Sequence, residues 1–171
     1  MTSLWANIFQ PRQDSQDTIS MVLKRIPVFD GLDARELLQI EKILHEREYR
    51  PEERIFLQGD PGLGMYIIIE GNIEIVSEPG HHILTVLHEG EFFGELALLD
   101  ESPRTATAIA QSPCRLLCLV QSDLYDLIDR NPKLGVKILV QLARTIGERL
   151  KKTNEYVHEL KKGQEEAAAH G

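Results

Sequence analysis

Glu95 and Arg104 are the two charged residues whose types and spacing are best suited to chemistry. They lie in a short stretch, residues 92–108, that begins Phe-Phe-Gly-Glu and continues to Ser-Pro-Arg-Thr-Ala. Gly94 frees the backbone before a predicted helical turn over residues 95–98. The unpaired N–H groups and positive dipole end of such a turn suit a bound anion. An arginine facing this turn could capture a phosphate group through two parallel hydrogen bonds.

Glu95 needs a different role, because a carboxylate next to a phosphate is repelled by it. We predict that Glu95 accepts a hydrogen bond from a sugar hydroxyl, as acidic residues do in dinucleotide sites. The two residues together indicate a pocket for a sugar phosphate that carries few charges. Spacing alone leaves an ordinary ion pair between Glu95 and Arg104 as an equal alternative.

The composition is typical of a soluble globular domain with short extensions. The chain has 171 residues, of which 42% are hydrophobic and 27% are charged. Its 19 basic and 27 acidic residues give a formal charge of -8, which argues against a nucleic-acid-binding surface. No apolar run approaches the roughly 20 residues that span a membrane, and no signal peptide pattern is present. We therefore expect a cytoplasmic protein that binds neither nucleic acid nor membrane.

The cysteines and histidines indicate neither a disulfide nor a metal site. Cys114 and Cys118 would lie about 13 Å apart on one strand, which is too far for a disulfide. We expect both to be reduced, inward-facing residues of a reducing compartment. His81 and His82 are adjacent, so on a strand they would point to opposite faces and not share an ion.

Two helices are predicted before any strand. Ser15 or Asp17 could cap the first helix, and Pro27 closes it. Asp33 and Glu36 have the spacing of a capping box for the second helix. The segment before these helices could pack on its own domain, which is the simpler interpretation, or it could dock on a partner. The predicted buried side of the second helix consists of Leu37, Leu38, Ile40, Ile43 and Leu44.

The middle of the chain has the pattern of an antiparallel sandwich or barrel. Short β-branched and apolar runs are interrupted by Gly and Pro every 8–12 residues. Gly71-Asn72, between two isoleucine-rich runs, predicts a tight hairpin. The predicted strands are 46–50, 53–57, 64–69, 73–77, 82–87, 104–110 and 114–120.

Two helices are predicted to follow the strands. Ser122 is the predicted cap of the first, which is interrupted at Asn131-Pro132. The second runs to about Lys161, and its basic residues, Arg149 among them, are interpreted as a solvated face. We expect its early part to pack on the strands and its later part to pair with a second copy. The apolar or small positions follow a heptad seam: Leu139, Ala143, Ile146, Leu150, Thr153, Val157 and Leu160.

The order of elements and one specific motif resemble the cyclic nucleotide-binding domain family. The motif is Phe93-Gly94-Glu95-Leu96-Ala97-Leu98-Leu99 followed by Pro103-Arg104-Thr105-Ala106-Thr107, which matches the family's phosphate-binding cassette. We call residues 93–107 the cassette. The chain is similar to the sensor domains of bacterial catabolite activator proteins and of cAMP-dependent protein kinase regulatory subunits. The resemblance covers roughly residues 26–161, which leaves 1–25 as a helical extension and 162–171 as a flexible tail.

The resemblance implies an α+β fold, an eight-stranded antiparallel β-roll of jelly-roll type. N-terminal helices and a long C-terminal helix flank this roll, which holds cAMP or cGMP as ligand and needs no cofactor or metal. Arg104 would pair with the cyclic phosphate, and Glu95 would accept from the ribose 2′-hydroxyl. Backbone N–H groups of the cassette, those of Gly94, Glu95 and Ala97, would line the site. Its implied binding residues are Phe93, Gly94, Glu95, Leu96, Ala97, Pro103, Arg104, Thr105 and Ala106.

A second resemblance concerns residues 149–157, which are similar to the long helix of the catabolite activator family. There, a Thr-Ser pair reads the adenine amino group, and the second residue reaches across a dimer. Thr153 and Asn154 stand at these positions, so both are implied ligand contacts. The asparagine in place of serine leaves the choice between adenine and guanine open.

These observations predict a stand-alone cytoplasmic cyclic nucleotide sensor and not an enzyme. We expect it to form a homodimer and to signal to a partner protein through its C-terminal helix. The chain ends soon after that helix, so no DNA-binding segment is expected. The alternative is an interaction module that keeps the fold and responds to no nucleotide. Catalysis by Glu95 has little support, because no second carboxylate or nucleophile–base pair accompanies it.

Overall fold

The structure is a computed structural model that describes residues 19–169. The proposed caps Ser15 and Asp17, and the N-terminal segment as a whole, lie outside this range. Helix α1 covers residues 19–23, a 3₁₀ turn covers Pro27–Phe29, and α2 covers Ala34–Glu41. The strands are β1 (Leu44–Tyr49), β2 (Arg54–Phe56), β3 (Gly64–Glu70), β4 (Ile73–Ser77), β5 (His82–Leu87), β6 (Phe92–Phe93), β7 (Thr107–Ala110) and β8 (Cys114–Val120). The chain continues through α3 (Gln121–Arg130) and α4 (Pro132–Ala169).

The eight strands of the described residues form two antiparallel sheets of four strands each. The strand order is β1-β8-β3-β6 in the first sheet and β2-β7-β4-β5 in the second. Helices lie before and after the strands, so the predicted α+β fold with an eight-stranded β-roll is confirmed. The two-residue strand β6 was not predicted, because its length is below what a sequence pattern can indicate.

Alternation along the strands of the first sheet separates two hydrophobic cores. Ile68 and Leu116 face the second sheet and pack with Phe93 and Ala108 in an inner core. Residues one position away, such as Ile67, face outward and pack against the helices in an outer core. Because strand side chains alternate between faces, each sheet position belongs to one core only. The helices therefore cover the first sheet.

Gly71-Asn72 does not form the predicted hairpin. The strands on either side of it, β3 and β4, belong to different sheets and do not pair with each other. Gly71 has a φ of 91°, and a Cβ placed there would lie 2.5 Å from the carbonyl oxygen of Pro113. The glycine is therefore required at a corner where the chain passes from one sheet to the other. A Gly-Asn pair fits both kinds of turn, and only the strand partners distinguish them.

The N-terminal half of α4 packs on the outer core. Leu134, Ile138 and Leu142 are buried there among residues of the first sheet and of α1. The early part of α4 thus packs on the rest of the domain as expected. The buried residues, however, lie one position before the residues of the predicted seam. Within the seam, Leu139 and Ile146 are half-buried, whereas Ala143, Leu150, Thr153 and Val157 are exposed. The side chain of Leu160 is not described.

The Asp33–Glu36 capping box is confirmed, since each side chain accepts from the other residue's backbone N–H at 2.9 Å. The predicted cap at Ser122 is wrong, because α3 begins at Gln121 and has no side-chain cap. The buried side proposed for α2 is also wrong in part. Leu38 is 54% exposed, and Leu44 is the first residue of β1.

Several smaller features complete the fold. Helix α4 continues to Ala169, beyond the predicted end at Lys161. Cys114 and Cys118 lie on the same strand as predicted, and their thiols are unbridged.

Among residues 19–169, no helix combines the length and apolar character of a membrane span. The same residues contain no cluster of three potential metal ligands.

Candidate functional site

A cavity of about 460 Å³ lies between the cassette, the second sheet and α4. The cassette forms one wall, and side chains of β2, β4 and β5 form the apolar floor. Arg149, Lys152 and Thr153 of α4 line the remaining side. We call this space the cassette cavity. All cassette residues predicted as ligand contacts line it, together with Thr153, whereas Asn154 is exposed and does not.

The predicted helical turn of the cassette is present as a 3₁₀ turn, Glu95–Leu98. Gly94 precedes it in the left-handed region with a φ of 74°. The φ value favours glycine, and a Cβ at Gly94 would lie 2.5 Å from Nη1 of Arg104 and displace that guanidinium. Leu98 is fully buried in the outer core and holds the turn on the first sheet. The N–H of Ala97 donates to the Gly94 carbonyl at 3.2 Å, so in this structure it serves the turn itself.

The backbone of Arg104 is held by the turn between β2 and β3. Its N–H donates to the Asp60 carbonyl, and its carbonyl accepts from the Gly59 N–H, both at 2.8 Å. The Asp60 carboxylate accepts from the Leu57 N–H at 2.8 Å and closes this turn. Strand β7 begins at Thr107 and not at residue 104 as predicted. Arg104 is thus positioned by loop-to-loop hydrogen bonds just before the strand.

The side chain of Arg104 is buried, with 8% of the residue exposed. Its guanidinium lies 4.1 Å from the ring centroid of Phe56. Nη2 donates to the Gly64 carbonyl at 2.7 Å and Nη1 to the Gly94 carbonyl at 3.2 Å. Nε is buried and has no hydrogen-bond partner among the described residues. Burial lowers the pKa of this guanidinium from its ordinary value, although arginine remains charged.

Glu95 is buried as well, and its partner is Arg149 of α4. Nη1 of Arg149 donates to Oε1 of Glu95 at 2.7 Å, and Nη2 donates to the Phe92 carbonyl at 2.9 Å. The Arg149 guanidinium also lies 4.3 Å from the ring centroid of Phe92. The alternative of an ion pair between Glu95 and Arg104 is therefore wrong. The interpretation of Arg149 as part of a solvated face is wrong too, because it joins α4 to the cassette.

The two sides of the cavity differ in chemistry. Arg104 supplies a buried cation that forms no ion pair with any described residue, and such a group suits an anion because a buried charge needs a counter-charge. Glu95 supplies a carboxylate that can accept hydrogen bonds from hydroxyl groups. Thr153 brings a hydroxyl group from α4. Such a set can hold a small anion that carries hydroxyl groups and an apolar or aromatic part.

Comparison with known proteins identifies the family. The profile of the cyclic nucleotide-binding domain matches residues 46–131, half of the chain. The chain belongs to the cyclic nucleotide-binding domain family. The matched region contains the whole cassette and seven complete strands, whereas α4 lies beyond it.

Three proteins similar to this cyclic nucleotide-binding domain are named as a channel, a receptor and a transcriptional regulator. It is 40% identical over 139 residues to a protein of Rhodopseudomonas palustris described as a candidate potassium channel, covering 78% of this chain and 33% of that one. It is 33% identical to the cyclic AMP receptor protein of Thermus thermophilus, covering 74% and 60%. The solved N-terminal domain of a Streptomyces coelicolor transcriptional regulator has a TM-score of 0.69 and 32% identity, covering 78% and 95%. The chain thus spans only one third to about three fifths of the two curated relatives.

Sequence reasoning missed the aromatic support of the cyclic nucleotide-binding cassette as well as Arg149. Tyr66 stacks on Phe93 with 5.4 Å between ring centroids, and both contact Phe56 under Arg104. These residues are far apart in the sequence, so no spacing signal could group them. Arg149 could have been assigned to the site from the sequence, because it lies four residues before Thr153 and therefore on the same helix face.

Proposed function

We propose that this domain is a cytoplasmic sensor that binds cAMP, or cGMP, in the cassette cavity without catalysing a reaction. The observation that carries this proposal is Arg104, a buried cation with no ion-pair partner among the described residues. A singly charged cyclic phosphate would supply the missing counter-charge and an acceptor for Nε. The Thermus thermophilus relative is a cyclic AMP receptor protein, which favours the same ligand class. The unbridged thiols favour a reducing compartment.

The other polar groups of the cavity fit the rest of a cyclic nucleotide. Glu95 is proposed to accept from the ribose 2′-hydroxyl while it keeps its ion pair with Arg149. Thr153 is proposed to contact the base from α4, and Thr105 to lie beside the phosphate. Asn154 does not line the cavity of its own protomer, so its proposed contact would be made across a dimer.

Thermal unfolding with and without nucleotide tests this function. A ligand that binds only the folded state raises stability by about 2.7 kcal/mol at 100 times its Kd. For a protein of this size, the melting temperature should then rise by about 5–10 °C. Absence of a shift with millimolar cAMP and cGMP would contradict the sensor and favour the interaction module. A 5′-AMP control, which has a doubly charged open phosphate, should give a much smaller shift.

Helix α4 is the proposed route by which ligand binding reaches a partner protein. Arg149 connects this helix directly to Glu95, the residue proposed to hold the ribose. A ligand that changes the position of Glu95 therefore biases the position of α4, which is a shift between two populations. Residues 150–159 of α4 are exposed, and we propose that this segment contacts the partner.

The same part of α4 supports the proposal of a homodimer. Leu150 is 59% exposed and Val157 is 43% exposed, and both belong to the predicted seam. A second copy could bury them in a two-helix contact of coiled-coil type.

We expect Leu150→Asp to convert a dimer of about 39 kDa, twice the 19.4 kDa chain, into monomers. A charge buried in the seam costs more than the dimer contact can supply. Mass measurement by light scattering at tens of micromolar gives the result. Leu84→Asp is a matched control, because Leu84 is also a leucine that is 59% exposed but lies on β5. A monomeric wild type, or equal dissociation by both variants, would contradict this interface.

A further inference from the structure

Lys152 lies on the α4 wall of the cassette cavity, where the base of a bound nucleotide would be read. Arg149, Lys152 and Thr153 are spaced by three and four residues, so they share one face of the helix. All three line the cavity. Arg149 is already engaged by Glu95 and by the Phe92 carbonyl. The polar groups left for a ligand on this wall are those of Lys152 and Thr153.

The hydroxyl of Thr153 is restricted to accepting. Its Oγ1 donates to the Arg149 carbonyl at 2.9 Å, one helical turn earlier. A hydroxyl has a single proton, so the oxygen retains only its lone pairs for a ligand. Thr153 can therefore accept from an amino group but cannot donate to a carbonyl unless the bond to the backbone breaks.

The ammonium of Lys152 has the opposite character. It offers three donors and no acceptor. It makes no hydrogen bond or ion pair with any residue in the described range 19–169. The wall thus presents one acceptor and one donor next to each other.

We propose that Lys152 is a specificity-determining residue that donates to N7 of a 6-aminopurine while Thr153 accepts from its amino group. This inference deepens the proposed function and rests on it. Adenine places its amino donor next to a ring nitrogen acceptor, which complements the Thr153–Lys152 pair. The N7 edge of guanine offers two acceptors, N7 and O6, so one of them would face the Thr153 oxygen. The pair therefore favours cAMP over cGMP at this edge.

Calorimetric titrations of Lys152→Met and Lys151→Met test the proposal. Lys151 is adjacent, exposed and equally charged but does not line the cavity, so it controls for loss of charge. The probes are cAMP, cGMP, 1-deaza-cAMP and 7-deaza-cAMP, since each deaza analogue lacks one ring nitrogen. Both lysines are exposed, so methionine preserves the stem and the fold, which circular dichroism verifies.

For Lys152→Met we expect the cAMP affinity to fall about tenfold, the effect of losing a charge-assisted hydrogen bond. For Lys151→Met we expect a change of about twofold or less, from screened long-range charge alone. The deaza analogue that lacks the contacted nitrogen should bind wild type weakly and be insensitive to Lys152→Met. The other analogue should behave as cAMP does.

Three results would overturn the role of Lys152 while the sensor function stands. These are equal effects of the two lysine variants, an equal loss by Lys152→Met for all four nucleotides, and a greater loss for cGMP than for cAMP. Failure of the wild type to bind any of the four is a different result. It would overturn the proposed function itself, and the base-reading role with it.

Discussion

Replacing Arg104 with lysine is expected to lower the affinity for cAMP by about 100-fold, the loss typical of a disrupted buried charge pair. The guanidinium can bind two phosphate oxygens through parallel hydrogen bonds, whereas a lysine ammonium is a point charge. Lysine also has three N–H donors in place of five, so an ammonium that replaced the bonds to the carbonyls of Gly64 and Gly94, now 2.7 and 3.2 Å from the arginine, would keep only one for a phosphate. Isothermal titration of the two proteins with cAMP measures the effect.

Arg115→Lys is the matched control for this experiment. Arg115 lies on β8, outside the cassette cavity, and pairs with Glu46 and Glu70 at 3.4 and 3.5 Å. Arg115 is also an arginine with little exposure. Its replacement therefore measures how far an arginine-to-lysine exchange outside the cavity changes the affinity for cAMP. Wild-type affinity in Arg104→Lys, or an equal loss in Arg115→Lys, would contradict the assignment of Arg104 to the phosphate.

Glu95→Ala is expected to lower the affinity for cAMP by about 30-fold, within the range for a hydrogen bond to a charged group. Glu95 is 8% exposed and already held in place by Arg149, so it meets a ribose hydroxyl with little loss of side-chain entropy. The substitution leaves Arg149 without its carboxylate. Because that side chain is 42% exposed, water can solvate the remaining charge.

Titration with 2′-deoxy-cAMP separates the hydroxyl contact from other effects of Glu95→Ala. We expect 2′-deoxy-cAMP to bind the wild type more weakly than cAMP does. The affinity for this analogue should fall little further in Glu95→Ala. Glu91→Ala removes a carboxylate from the same cavity, where Glu91 is exposed and accepts from the His88 N–H at 2.8 Å. Equal losses for both nucleotides in Glu95→Ala, or the same loss in Glu91→Ala, would contradict the ribose contact.

These two predictions concern the part of the site that could be predicted from the sequence. Gly94, the turn that begins at Glu95, and Arg104 lie within eleven consecutive positions. Turn formation and glycine conformation depend on neighbours in the chain, so a local pattern is enough to indicate them. The capping box of α2 was predictable for the same reason, because Asp33 and Glu36 need only each other.

The errors concern features for which local signals permit more than one outcome. Gly71-Asn72 fits a hairpin and also a corner between two sheets, and only the partners of β3 and β4 decide which one forms. Arg149 on an exposed helix has the sequence signature of a solvated residue. The predicted cap, Ser122, lies two positions after the observed N-cap, Val120, an offset that cap residues alone do not resolve.

By itself, the sequence determined the fold class, the cassette and the residue types that meet in it. The tertiary structure alone decided that Glu95 pairs with Arg149, a residue 54 positions away, and not with Arg104. That pairing depends on where α4 lies, and the burial of Leu134, Ile138 and Leu142 against the first sheet sets this position. Burial of apolar area is non-directional along the chain, so no local pattern specifies which distant surfaces it brings together.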